Sequence, residues 1–247
     1  VLGVIGCMAE RDGDHMVRKY PQIDLLCGPG ELDKVPMLID NAVRTDPRFR
    51  GGLKSAQLAL QGNTHRRSST LAAAEDQLEM LDLARSFSPD DHQGSAYVRI
   101  TRGCNKFCTY CVVPNTRGAE VHRPPDHIVD EVKKLVDAGV VEVTLLGQTV
   151  NHYHYDHTAA VTINGIQQPQ IGAVMTSKKA HGLPTAGSLA AEASSTNTTT
   201  FARLLERIHN EVPALQRLRF VTNYPRDFGN DILQVMRDCP RICRYLH

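Results

Sequence analysis

Three absences narrow what this sequence can be. No apolar run approaches the length a membrane-spanning helix requires, and residue 1 opens no signal-peptide pattern. There is no disulfide framework either: the seven cysteines are odd in number and unevenly spread. That argues against a secreted, cross-linked scaffold and for a reducing, cytoplasmic setting. Net charge is nearly absent, at +1, so the chain as a whole carries no signal for nucleic acid. What is present is ordinary for a soluble globular protein, with 41% hydrophobic and 22% charged residues. A chain of 247 residues has room for one large domain, or for a small one beside a medium one.

The cysteines are where the sequence becomes unusual. Cys104, Cys108 and Cys111 follow a C-x3-C-x2-C spacing, and the other four cysteines show no comparable clustering. Three soft thiolates this close suit a metal or an iron–sulfur cluster better than disulfides. They are one short of the four that a fully cysteine-held cluster uses, so one iron would stay open to a ligand. Around them, between 95 and 125, Arg99, Arg102, Lys106, Arg117 and Arg123 stand against Glu120 alone. Such a rim is either a site for an anionic ligand or RNA phosphates, or a solvated positive loop.

Taken in order, the chain opens on an apolar run, 1–6, that reads as a buried strand ending at Cys7. A helical stretch over 10–20, a strand over 23–27 and a helix over 31–43 complete a β-α-β-α pattern. Residues 1–45 thus read as part of an α/β domain whose earlier units are missing, which marks the chain as a fragment. Residues 46–94 read as a linker, with one helix over 71–85. From 95 the β-α rhythm is regular. Strands are expected over 95–101, 140–146, 218–221 and 242–246, and helices over 126–138, 201–209 and 231–236. This second domain, 95–247, reads as an open doubly wound sheet or as roughly half of a (β/α) barrel, which takes about 250 residues when complete. In either case the cysteine loop, Gly147-Gln148 and Thr222-Asn223 fall at the carboxyl ends of parallel strands and should meet at one site. Residues 152–200 interrupt the rhythm as a low-complexity insert. Within it, His152, His154 and His157 are read as a solvent-exposed His/Tyr run in preference to a metal site.

These residues resemble a known family. The spacing of Cys104, Cys108 and Cys111 is that of radical S-adenosylmethionine enzymes. The longer run from Gly103 to Gly118, with Gly6-Cys7-Met8-Ala9-Glu10, Leu145-Leu146-Gly147-Gln148 and Arg219-Phe220-Val221-Thr222, resembles the methylthiotransferases. Within these the chain is most similar to the branch that adds a methylthio group to isopentenyladenosine beside the tRNA anticodon. The resemblance implies that the three thiolates hold a [4Fe-4S] cluster whose open iron is chelated by S-adenosylmethionine. Reductive cleavage then yields a deoxyadenosyl radical that takes hydrogen from an unactivated carbon, chemistry that side chains alone cannot supply. It further implies that Tyr110 packs the adenine, that Gly147 and Gln148 receive the methionine end, and that Thr222 belongs to the next strand-end loop. Arg117 and Arg123 are placed against ligand or RNA phosphates.

By the same resemblance Cys7 is the last of three ligands to a second [4Fe-4S] cluster, incomplete in this chain. Cys27 matches no ligand position and reads as a core thiol. The fragment is therefore expected to be incompetent for the full reaction. The implied partners are tRNA and an electron donor such as flavodoxin or ferredoxin, with no membrane. Two other enzymes fit less well, methylthiotransferases acting on a ribosomal protein aspartate or on threonylcarbamoyl-adenosine. A non-catalytic iron–sulfur or zinc module binding RNA is a third alternative, in which the cysteines form a zinc knuckle.

Overall fold

The computed structural model describes residues 1–45, 56–60, 94–118, 120–157, 160–163, 166–169 and 197–247. The helix expected over 71–85 and most of the 46–94 and 152–200 segments lie outside them. The chain divides into two compact units, one of 1–82 with 106–119, the other of 83–105 with 120–247.

The first unit holds a parallel three-stranded sheet in the order β1 (Gly3–Ile5), β2 (Leu25–Cys27), β3 (Gln57–Ala59). Part of the stretch read as linker is therefore the third strand: Leu25, Leu26 and Cys27 pair on their second edge with Gln57, Leu58 and Ala59. The opening run is also less buried than its composition suggests. β1 pairs only with β2 among the described residues, and Val1, Leu2 and Ile5 are exposed. The apolar content of a segment says that it can be buried, and an edge position decides that most of it is not.

Helix α1 (Cys7–Lys19) begins earlier than expected and bends at Gly13, whose φ of 41° a side chain would resist. It buries Ala9 and Met16 against Ile23 and Leu26. Helix α2 (Val35–Thr45), entered through a 3-10 turn at Leu32–Lys34, covers the other apolar group of Leu25, Cys27, Leu38 and Ala59. The short helix α3 (Val113–Thr116) packs against α1.

In the second unit a parallel sheet runs in the order β12 (Arg217–Phe220), β7 (Glu142–Leu146), β4 (Ser95–Arg99). Val143 and Leu145 on β7 are fully buried, as a strand covered on both faces must be. Helix α4 (Pro125–Asp137) follows β4, with Pro125 in its first turn, where the missing N–H costs nothing. Its stripe of Ile128, Val129, Val132 and Leu135 is fully buried. Helix α5 (Phe201–Glu211) starts under a cap in which Thr200 Oγ1 accepts from Arg203 N–H, and it buries Leu204, Leu205 and Ile208. Helix α6 (Asn230–Asp238) follows β12. The strand expected over 242–246 is reduced to one parallel bridge, Leu218 with Ile242. The fold is thus mixed α/β with parallel sheets.

Three smaller ladders accompany these sheets. β5 (Thr101–Arg102) and β6 (Val121–His122) pair antiparallel, tying together the two ends of the excursion that carries the cysteines. The 152–200 segment, expected to lack regular structure, contributes β8 (His154–Asp156), paired with β11 (Thr198–Thr200), and the hairpin β9 (Ala160–Ile163) with β10 (Ile166–Pro169). Its first residues are core: Tyr153 and Tyr155 are buried beside Phe201 and Leu205. The expectation of an exposed His/Tyr run is thereby corrected. Tyr153 and Tyr155, two apart in an extended stretch, both join this core, something no local composition reveals.

Candidate functional site

Register places the strand ends. Arg99 is opposite Leu146 and Phe220 opposite Leu145, so β4, β7 and β12 end at the same edge of their sheet. The segments leaving that edge are 101–105, 147–148 and 221–224, in line with the general placement of functional loops in parallel α/β sheets.

The second and third of these loops are joined directly. Thr222 Oγ1 donates to Gly147 O at 2.6 Å, and Val150 N–H donates to Thr222 O at 3.3 Å. Asn151 locks the same pair from the other side, its amide donating to Tyr224 O and its carbonyl accepting from Tyr224 N–H, both at 2.8 Å. Thr222 holds a φ of 63°, rare for a β-branched residue, so these bonds overdetermine a conformation the residue alone would avoid. Gly147 meets the first loop: a Cβ there would collide with Thr101 Oγ1 and press on Val150. Only glycine lets the Thr101 side chain and the 147–150 turn approach this closely. Gln148 sits between these anchors, half-buried.

The cysteine segment passes from one unit to the other between Asn105 and Lys106. In the second unit Cys104 is buried and Asn105 Oδ1 accepts from Glu120 N–H at 3.2 Å, closing the base of the excursion. In the first unit Cys108 and Cys111 lie on one turn, with Cys111 N–H donating to Cys108 O at 2.9 Å, and both thiols are partly accessible. Phe107, just before them, holds a φ of 49°. Tyr110 is 94% exposed, its ring free of any packed partner surface in its unit. All seven cysteines are free thiols. Three free thiols at the C-x3-C-x2-C spacing are chemically the donors a thiolate-held cluster uses, one short of four.

Cys7 also has a neighbour that the sequence did not reveal. It opens α1, and Arg117 Nε donates to its Sγ at 3.2 Å. The guanidinium therefore lies against the thiol within the first unit, and Arg117 is engaged there. Cys27, by contrast, is fully buried, its thiol donating to Glu31 O at 3.1 Å, and burial pushes its pKa up to about 11. It is a core thiol, in agreement with the reading of the sequence.

Arg123 requires a correction. Expected to face an anionic ligand, it is instead 1% exposed, with Nη1 2.7 Å from Glu131 Oε2 and 2.6 Å from Arg99 O. Tyr153 donates its hydroxyl to Arg123 O at 2.7 Å, and burial holds that phenol well above its ordinary pKa. Arg123 thus ties β4, α4 and the start of β8 together. Charge counting along a segment cannot tell an arginine aimed at solvent from one aimed at a glutamate eight residues later on the next helix.

Comparison with known proteins agrees with this geometry. Residues 98–247 match the model of the radical SAM superfamily. The chain belongs to that superfamily, whose members use S-adenosylmethionine and a [4Fe-4S] cluster. Over its whole length it is also similar to proteins named tRNA-2-methylthio-N(6)-dimethylallyladenosine synthase. It is 34% identical to that of Rhodopirellula baltica over 246 residues, 32% to that of Roseobacter denitrificans and 33% to that of Haemophilus influenzae. It covers 41%, 42% and 40% of those proteins, so the chain spans about two fifths of the length of the relatives it matches.

Proposed function

We propose that this chain is the central part of a radical S-adenosylmethionine methylthiotransferase that adds a methylthio group to isopentenyladenosine beside the tRNA anticodon. The observation that carries the reading is the end-to-end similarity to three synthases of that name, with the C-x3-C-x2-C thiols inside it. On this reading 1–45 is the end of the family's amino-terminal domain and 95–247 part of a (β/α) barrel-type radical domain. The partners are tRNA and a flavodoxin- or ferredoxin-like electron donor, in the cytoplasm.

Cys104, Cys108 and Cys111 would hold the [4Fe-4S] cluster, and Cys7 would be one ligand of a second. With S-adenosylmethionine bound, the first cluster supplies the one-electron chemistry that activates a carbon–hydrogen bond. The protein's part is placement. Gly147 and Gln148 offer a turn whose backbone is held rigid by Thr222, Val150 and Asn151, suited to orienting the polar end of the methionine moiety. Tyr110 offers a ring for the adenine to stack on. Arg117 stands at Cys7, its Nε donating to the sulfur, and would help to orient that ligand.

The test is anaerobic reconstitution with iron and sulfide, followed by reduction in the presence of S-adenosylmethionine. A brown protein that releases methionine and deoxyadenosine is expected, and a colourless protein holding zinc at the three cysteines would overturn the reading. Mass spectrometry of tRNA from a strain lacking the gene tests the substrate: the methylthio mark on isopentenyladenosine should vanish. Its persistence, with loss of a mark on threonylcarbamoyl-adenosine or on a ribosomal protein, would move the assignment to another branch.

A further inference from the structure

The second unit contains a group of metal-ligating side chains that the cysteine chemistry does not use. Glu120, His122 and His152 are all buried, and one ligand atom from each lies within 4.8 Å of the others. Glu120 and His122 are two apart on the extended chain at β6, so both side chains leave the same face. His152 ends the 3-10 turn that follows the Gly147-Gln148 loop. Its Nδ1 is 3.0 Å from Glu120 Oε1, and His122 Nε2 is 3.8 Å from the same oxygen. Thr149 adds a hydroxyl 3.1 Å from it.

These separations are those of a coordination shell. Zinc bonds of about 2.0–2.2 Å in a tetrahedron set ligand atoms about 3.3–3.6 Å apart. The two distances here bracket that range, so small side-chain adjustments would admit the ion. Two imidazoles and one carboxylate are a borderline donor set, suited to zinc, cobalt or ferrous iron rather than to magnesium or calcium. His154 N–H approaches His122 Nδ1 at 3.4 Å, beyond the usual range of about 2.7–3.2 Å.

We propose that Glu120, His122 and His152 bind a divalent transition-metal ion, zinc being the metal of choice, at a site separate from the cysteines. Thr149 stands beside it as a further oxygen donor. Because the site is buried, its role is structural: it clamps the turn that carries Gly147 and Gln148 onto β6 at the base of the cysteine excursion. It does not depend on which substrate the enzyme modifies.

The experiment measures metal bound to the full chain. With Cys7, Cys104, Cys108 and Cys111 all replaced by serine to remove the thiolates of the proposed cluster sites, the chain is loaded with zinc or cobalt, desalted and assayed by mass spectrometry. About one ion per chain should remain. Cobalt should show the visible bands of nitrogen and oxygen coordination without the near-ultraviolet thiolate charge-transfer band. Glu120→Gln and His152→Gln, which keep shape and hydrogen bonding, should lower zinc affinity at least about tenfold. A folded, thiolate-free chain that retains neither ion overturns the proposal, as does undiminished binding in both glutamine variants. A cobalt spectrum with thiolate bands would assign the metal to the remaining cysteines and overturn it as well.

Discussion

The two units are built to different standards. The second has one continuous core, in which the buried residues of α4, α5, β4, β7 and β12 form a single group. Among its described residues the first has two small, separate apolar groups around a sheet of three-residue strands. The ligand residues follow the same division. Gly147 and Thr222 are held by several hydrogen bonds in the second unit, and Cys104 is buried there. Cys108, Cys111 and the exposed Tyr110 belong to the first. The contrast teaches that the residues proposed for the cofactor are preorganised in the second unit and accessible in the first.

The largest effect should come from the accessible residues. Cys108→Ala removes one of three thiolates, and cluster iron and reductive cleavage of S-adenosylmethionine should both be lost. Yet thermal stability should change little, because the side chain is not part of either small core. Iron analysis and a melting curve on the same sample check both halves of that statement, and a large fall in stability would erase the contrast.

Arg123→Met is the counterpart in the rigid unit. It leaves Glu131 buried without its cation, which costs about 3–5 kcal/mol. Urea unfolding should show the loss, and the Arg123→Met/Glu131→Leu pair should recover much of it.

A smaller effect is expected at Gly147→Ala. The added methyl meets Thr101 Oγ1 and Val150, and such overpacking costs about 1–3 kcal/mol. Affinity for S-adenosylmethionine, measured by calorimetry, should fall as well, while cluster iron stays intact. Loss of iron in this variant would show that the two groups of residues are not separable.

The smallest lies at the surface of the same sheet. Glu142 is held below its ordinary pKa of 4.5 by hydrogen bonds from Arg217 and Arg219. Its folded-state pKa being depressed, the stabilisation is present above the ordinary value and lost as pH falls through the lower folded one. Solvent screening keeps it slight. Glu142→Gln should lower stability slightly at neutral pH, and its difference from the parent should vanish as pH falls below about 4.5; a difference that persists at low pH would contradict this.

Much of this was legible without coordinates. The spacing of Cys104, Cys108 and Cys111 is local and chemical, and thiolates at that spacing have few uses. The apolar stripes of α4 and α5 and the continuous apolar run of β7 report burial directly, because a 3.6-residue or unbroken pattern has no other cheap explanation. The parallel sense of the strands also followed from the alternation of strands and helices, which puts their carboxyl ends at one edge in either architecture. The expectation that Gly147 and Thr222 would meet rested on that placement, and the 2.6 Å bond between them is its consequence.

What the sequence could not decide were the partners of polar side chains. Arg123 looked like a cation for a ligand and is an internal tie to Glu131 and Arg99. His152 looked exposed and is buried against Glu120, thirty-two residues earlier. Glu120 looked like a lone acid among bases and is the hub of a buried cluster. Apolar pattern is read along the chain because water acts on each residue separately. A charge or an imidazole takes its meaning from one specific neighbour, and only the tertiary fold chooses that neighbour.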